Sequence, residues 1–377
     1  MKVIVACDKF KGSATSAQIS GAVRQGVLDA CPTAQVVTVT VADGGDGTVE
    51  AVVSALSAQG FGARRVECQV EAPVPGMRQL TAAYAATDGC AVVELAAAGG
   101  LALVPPQLRD AMQASSVGAG QQIAHAIAGG CRRVMVGLGG SASTDGGTGL
   151  LSALGFKFLD SNGRELRPCG ANLQRIAAVD DSCVSKAVRD TKFTLWTDVT
   201  NPLCGPNGSA AVFAPQKGAD AAQVAELDSG LRHLATLMPR PVACKPGAGA
   251  AGGVGAGLMA WLEADVRPGA NAVLSLARFE TLLTGASLVI TGEGRIDSQT
   301  AAGKAPAEVL HWAHARRVPV AAICGSLAAD AANLGFDAVL PIVPRPMSLA
   351  ESMQTETTLA GARRTAAQIV SLAMLQP

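Results

Sequence analysis

Aromatic side chains make up only 3% of this 377-residue chain, and Tyr84 is its single tyrosine. Successive unpaired bases stack on aromatic rings, so the chain lacks the platform for single-stranded nucleic acid. It also lacks net charge: thirty basic and thirty acidic residues cancel, leaving no broad field to gather DNA or RNA. No uncharged apolar run reaches the roughly 18 residues of a membrane-spanning helix, although 49% of the residues are hydrophobic. These absences argue against nucleic acid and membrane as partners, and any anion site must be local. The ten cysteines form no C-x-x-C pair and have no histidine at zinc-ligand spacing, which suits small buried side chains in a reducing compartment. The opening "MKVIVACDKF" has five apolar residues before a charge, too few for a secretory signal. The expected location is the cytoplasm.

The four histidines, His125, His233, His311 and His314, fall in expected helices away from the polar loops, which disfavours a histidine-activated serine or cysteine. G-x-x-x-x-G-K-[ST], H-R-D and D-F-G are all missing, so P-loop and protein-kinase machinery are excluded.

What is present is alternation of strand and helix. "KVIVAC" is a β-branched apolar run of the kind found in parallel strands, and "TSAQ" at Thr15–Gln18 is a capping box that opens a helix with Ile19, Val23, Val27 and Ala30 inward. "QVVTVTVA" follows as a strand, and a helix starts near Val49. The last hundred residues repeat the rhythm with "SLVIT", a helix near 306–315, "VPVAAICG", "DAVLPIV" and one long helix from about Leu349. Neither end alone has enough strands for an ordinary sheet, but together they do. The expected fold is α/β: a discontinuous doubly wound, Rossmann- or flavodoxin-like domain of residues 1–66 and 286–377. The remainder, 67–285, where "RRVECQV", "LTAAYAA" and "CAVVELA" follow one another without helices, is expected to be an inserted mixed α/β domain.

Ligands of doubly wound sheets bind beyond the carboxyl ends of the strands. The loops expected there are "CDKFKGS", "ADGGDGT", "GLGGSASTDGGTG", "TDVTNPLCG" and "TGEGRIDSQ". They carry Asp8, Asp43, Asp46, Asp145, Asp198, Glu293 and Asp297 against Lys9, Lys11, Arg295 and Lys304. Glycine loops to present N–H groups, cations to cover oxygen charge and carboxylates to hold magnesium or orient a hydroxyl form a phosphoryl-transfer inventory. A single D-G-G also makes a plain turn. "GLGGSASTDGGTG" follows a strand and opens a helix near Leu150, the geometry that receives phosphate. For "PGAGAAGGVGAG", a nucleotide loop and a tightly packed backbone crossing are both open.

These motifs, together with "DVTNPLCGPNGSA", "FAPQKGA" and "TGEGRIDSQTAAGKAP", run in order from Asp8 to "ICGS" and resemble the bacterial type-1 glycerate kinase family. The resemblance implies ATP- and magnesium-dependent phosphorylation of D-glycerate, usually at the 2-hydroxyl, and a two-domain α/β fold. Departures are Lys9 as an added cation, Asp46 where glutamate is common, Thr144 where asparagine is common and Gln121 where glutamate is usual.

On this footing the catalytic candidates are Asp198, Asp43, Lys11 and Arg295. Asp198 ranks before Asp43 as the base, each ending an expected strand with little room for a structural partner. Asp8, Lys11, Ser13, Arg295 and Asn201 are expected to hold glycerate in an interdomain cleft. Gly139, Gly140, Ser141, Ser143, Gly249, Gly252, Gly253, Lys217 and Lys304 are expected around ATP, and Asp297, Glu293 and Asp8 around Mg2+. One rival is a nicotinamide-dependent oxidoreductase, since Gly137, Gly139 and Ala142 spell G-x-G-x-x-A and Asp160 stands near the spacing of a ribose-binding acid. The other is a non-catalytic sensor of a small acid. The pattern assigns no oligomeric state.

Overall fold

Short β-branched runs and capped helices build two large sheets and a two-stranded one in the computed structural model, which describes residues 1–298, 300, 304–329 and 334–375. The strands, numbered along the chain, are β1 (Lys2–Cys7), β2 (Gln35–Thr38), β3 (Arg64–Val70), β4 (Leu80–Thr87), β5 (Cys90–Glu94), β6 (Arg133–Gly137), β7 (Lys157–Leu159), β8 (Ala178–Asp180), β9 (Lys192–Trp196), β10 (Asp265–Arg267), β11 (Leu288–Ile296), β12 (Val320–Leu327) and β13 (Ala338–Pro341). They fall into two units. One comprises Met1–Asp43, Glu50–Gln59 and Ala270–Pro377; the other, inserted in it, comprises Gly44–Val49 and Gly60–Gly269.

The first unit carries a parallel sheet in the order β13-β12-β11-β1-β2. Helices cover both faces, as the double winding requires. On one face Val3, Val5, Ile290 and Ile323 pack against Ile19 and Val23 of the helix Ser16–Ala30 and Ala362 and Ala366 of the helix Thr355–Ala373. On the other, Ile4, Val289 and Val320 meet Leu274, Phe279, Val309 and Ala313. The capping box forms as expected: Thr15 Oγ1 accepts from Gln18 N, and Gln18 Oε1 accepts from Thr15 N. The helix expected from Leu349 is broken into Leu349–Ser352 and Thr355–Ala373. The strand expected over "QVVTVTVA" stops at Thr38; Val39 N still donates to Val5 O, but the ladder ends there.

A larger departure concerns β11. A strand ending near Thr291 with "GEGRID" as a turn is the expectation, yet β11 continues through Ile296. It outruns β1, whose last partner is Gly292, and stays paired to the far end of β12 through Arg295↔Ser326 and Ile296↔Leu327. That extra ladder satisfies the backbone a turn would have exposed. The strand period of two then sets Glu293, Arg295 and Asp297 on one face while Ile296 packs with Ala322 and Cys324 on the other.

The second unit has a mixed sheet in the order β10-β9-β6-β5-β4-β3, antiparallel from β3 to β5 and parallel from β5 to β10. β7 and β8 form a separate antiparallel pair. Among the described residues no helix is long and apolar enough to cross a membrane.

Candidate functional site

In the first unit the chain leaves β1 toward β2 on one side, while β11 lies on the other. The sheet therefore changes winding direction between β1 and β11, and a crevice opens at the carboxyl ends of such a pair. Asp8 is the first residue after β1, its N–H donating to Gly292 O at 2.8 Å, and Glu293 stands just beyond on β11. The carboxyl of Asp8, only 7% exposed, accepts from Lys9 N at 2.7 Å. Burial raises its pKa to about 7; Lys9 opposes the shift, while Asp43 and Glu293 add to it. Asp43 is 35% exposed at its side chain, with Lys9 Nζ 4.0 Å from Oδ1. Burial also pushes the Glu293 carboxyl up, against the hydrogen bond from Thr300 and the charge of Lys304.

The charges of "GEGRID" serve one another. Lys304 Nζ lies 3.4 Å from Glu293 Oε2 and 3.9 Å from Asp297 Oδ1, and Arg295 Nε lies 3.2 Å from Asp297 Oδ2. Thr300 Oγ1 donates to Glu293 Oε1 at 2.7 Å and accepts from Asp297 N at 3.1 Å. Thr300 is absent from the expected set; its signal was the D-x-x-T spacing, a local turn pattern. Gln299 and residues 301–303 of the motif lie outside the described residues. Lys11 is exposed on the turn joining Phe10 to Ala14, and Ser13 Oγ bonds Thr358 Oγ1. Among the described residues no three acidic, histidine or cysteine side chains gather closely enough to ligate one ion. Magnesium is ordinarily held by one or two carboxylates plus phosphate oxygens and water, so one or two of Asp8, Glu293 and Asp297 could supply the protein's share.

In the second unit the loop after β6 is shaped from inside. Asp145, fully buried, accepts from Ser116 N at 2.7 Å, Ser116 Oγ at 2.8 Å, Gly147 N at 3.1 Å and Gly149 N at 3.2 Å. Burial pushes its carboxyl up and these four donors pull it down. The amides that open the helix Thr148–Ala153 thus already hold an anion, the chain's own. Only the upstream half of the loop reaches solvent, Gly140 exposed and Gly139 in part, with Ser141 just 6% exposed and Ser143 buried. Asp46, not among the expected site residues, borders Gly140: a Cβ there would lie 3.9 Å from both carboxylate oxygens. Lys217, 2% exposed, donates to Ser141 Oγ at 3.0 Å and to the Ser143 carbonyl oxygen. Burial lowers its pKa to about 7, against the field of Asp145.

Asp198 does have a structural partner: Oδ1 accepts from Gly269 N at 3.0 Å, and Oδ2 is buried. Asn201 Nδ2 donates to Asn207 O at 2.8 Å and ties its own loop. "PGAGAAGGVGAG" forms the packed crossing, with Gly249, Gly252 and Gly253 buried. A Cβ on Gly249 would meet Pro202 O at 2.3 Å; on Gly252, where φ is +71°, it would meet Ser143 O at 2.0 Å. Gly163 has φ +73° with open space around it. Gly163→Ala should therefore cost only backbone strain, about 1–2 kcal/mol, and Gly252→Ala at least ~3 kcal/mol, read as the gap between their thermal midpoints. Equal losses would contradict the crossing.

The oxidoreductase fingerprint loses its βαβ frame. Asp160 follows β7, which pairs only with β8 and not beside β6, and its carboxylate accepts from Asn162 N and Arg164 N in its own turn. Gln121 exchanges two hydrogen bonds with Glu71, donating to Oε1 and accepting from its backbone N–H; a carboxylate at 121 could not donate. Histidines 125, 233 and 314 bond Tyr84, Ile176 O and Asp337.

A family model described as the glycerate kinase family matches residues 3–374. A glycerate kinase of Halalkalibacterium halodurans is 40% identical over 364 residues, 95% of this chain and 94% of its own. A glycerate 2-kinase of Escherichia coli is 39% identical over 361 residues, 94% and 93% of the two chains. A solved Salmonella typhimurium LT2 structure described as a glycerate kinase 2 superposes with a TM-score of 0.83 at 37% identity, covering 99% of this chain and 98% of that one.

Proposed function

This chain belongs to the glycerate kinase family and is a kinase, and from that premise we propose that it transfers the γ-phosphoryl of ATP to the 2-hydroxyl of D-glycerate, yielding 2-phosphoglycerate and ADP in the cytoplasm. The observation that carries the reading is the placement of Asp8 and Glu293 at the winding reversal of the first unit, with Asp43, Lys9, Asp297 and Lys304 in the same cluster.

In the transfer the substrate oxygen bonds to phosphorus as the bond to the ADP oxygen breaks, and the hydroxyl proton passes to a carboxylate. Asp43 suits the base, because it is accessible while the oxygens of Asp198 are capped or buried. Arg295 and Lys11, both exposed, would hold the acid's carboxylate, with Ser13 and Asn201 fixing the loops that present it. Gly139, Gly140 and Ser141 would receive phosphate, and Gly249, Gly252 and Gly253 would hold that loop's backbone in place. One or two of Asp8, Glu293 and Asp297 would hold Mg2+, which when bound shields the charge of the phosphate oxygens.

The test is ADP formation by the purified protein. It should require D-glycerate and magnesium together, with no absorbance change when NAD or NADP replaces ATP. ADP release indifferent to D-glycerate would refute the reading, and binding of the acid without turnover would favour a sensor.

A further inference from the structure

Lys217 is too deeply buried to cover a nucleotide itself, yet its ammonium is aimed at the one serine of the glycine loop that borders solvent. We propose that Lys217 is a positioning residue that acts on ATP through Ser141, fixing the Ser141 oxygen so that its hydroxyl proton points out of the loop toward phosphate. The inference rests on the kinase reading and deepens it.

The geometry leaves the serine little choice. Below about pH 7, where Lys217 carries its proton, the ammonium offers donors and no lone pair, and a hydroxyl has one proton to give. With Nζ donating to Ser141 Oγ at 3.0 Å, the serine proton cannot return the bond and must find another acceptor. Its neighbour Gly140 is exposed and Ser141 itself retains 6% exposure, so that acceptor lies on the loop's open side. The second bond of the amine, to the Ser143 carbonyl oxygen, fixes the loop at two points two residues apart. The same carbonyl is the atom against which Gly252 packs, so the amine cannot slide without opening the crossing. Asp145 is the charged group whose field reaches the amine, and its own donors hold it at the helix start. Downstream, Gly147 N and Gly149 N are taken by Asp145 and the hydroxyls of Ser143 and Thr144 are fully buried, so Ser141 is the loop's side-chain donor nearest solvent, and a donor polarised by an adjacent cation is a strong one.

A double-mutant cycle with ATP, magnesium and D-glycerate tests this. Ser141→Ala and Lys217→Met should each raise KM for ATP about 10–100-fold, with kcat changed much less. The double variant should match the worse single one within about twofold, because both remove the same contact. Ser141→Thr, which keeps the hydroxyl, should restore KM to within about threefold of the parent. Should Lys217→Met yield no folded protein, Lys217→Gln takes its place in the cycle. Multiplying losses in the double variant, or a parent-like KM in Ser141→Ala, would overturn the clamp while the parent's turnover left the kinase reading standing. A parent that neither binds nor uses ATP would overturn both.

Discussion

Asp43→Asn should lower kcat by about 10²–10⁴-fold while KM for ATP stays within about threefold of the parent. The asparagine keeps the shape and removes the site that accepts the hydroxyl proton. Asp43 is the most accessible carboxylate of its cluster, with Lys9 Nζ 4.0 Å from Oδ1. The order expected from the sequence, Asp198 first, is reversed on geometry: Asp198 Oδ1 already serves Gly269 N and Oδ2 is buried. Asp198→Asn should accordingly cost about 1 kcal/mol of stability through the weakened helix start, with a much smaller fall in kcat. The two variants measured side by side decide the assignment. If Asp43→Asn turns over like the parent, Asp43 is not the base. A matched loss of ATP affinity would instead mark it as a holder of the metal-bound nucleotide.

Asp8→Asn should make the protein more stable and nearly inactive. Burial raises its pKa to about 7 in the fold from an ordinary 3.8, so between those values the unfolded chain has released a proton that the folded chain retains. Stability therefore falls as pH rises from about 4 to 7, and the penalty is complete above pH 7. Removing the charge should recover on the order of 2–4 kcal/mol at pH 8 and almost nothing at pH 4. Thermal unfolding in EDTA would show this as a rise of several degrees at the higher pH alone. A uniform shift at both pH values would mean that packing, and not ionisation, explains the change. Activity should drop with magnesium present, a trade of stability against function expected where carboxylates are crowded at a site.

Much of the fold is legible in the sequence. The capping box at Thr15, the β-branched runs and the return of the sheet at the carboxyl end of the chain are local patterns with one structural solution, and they built the parallel sheet as expected. Strand limits were less legible. The continuation of β11 through Glu293 and Arg295 depends on a partner, the end of β12, that no local pattern reveals. Among the candidate site residues, charge in glycine-bordered loops marks segments whose charged side chains the fold draws together, as Glu293, Asp297, Arg295 and Lys304 are. Which oxygens are already engaged was hidden. Asp145 closing its own helix start, Asp198 capping at Gly269 and the crossing at Gly252 are all long-range contacts, set by backbone meeting backbone far along the chain.

In the proposed reaction phosphorus arrives at the hydroxyl beside the carboxylate of a bound small acid. Phosphorus NMR of the product made from D-glycerate, ATP and magnesium tests it most directly, since a phosphate ester at carbon 2 couples to one proton and an ester at carbon 3 to two. A doublet growing together with ADP is the predicted result. A triplet, or ADP and free phosphate with no ester signal, would contradict it.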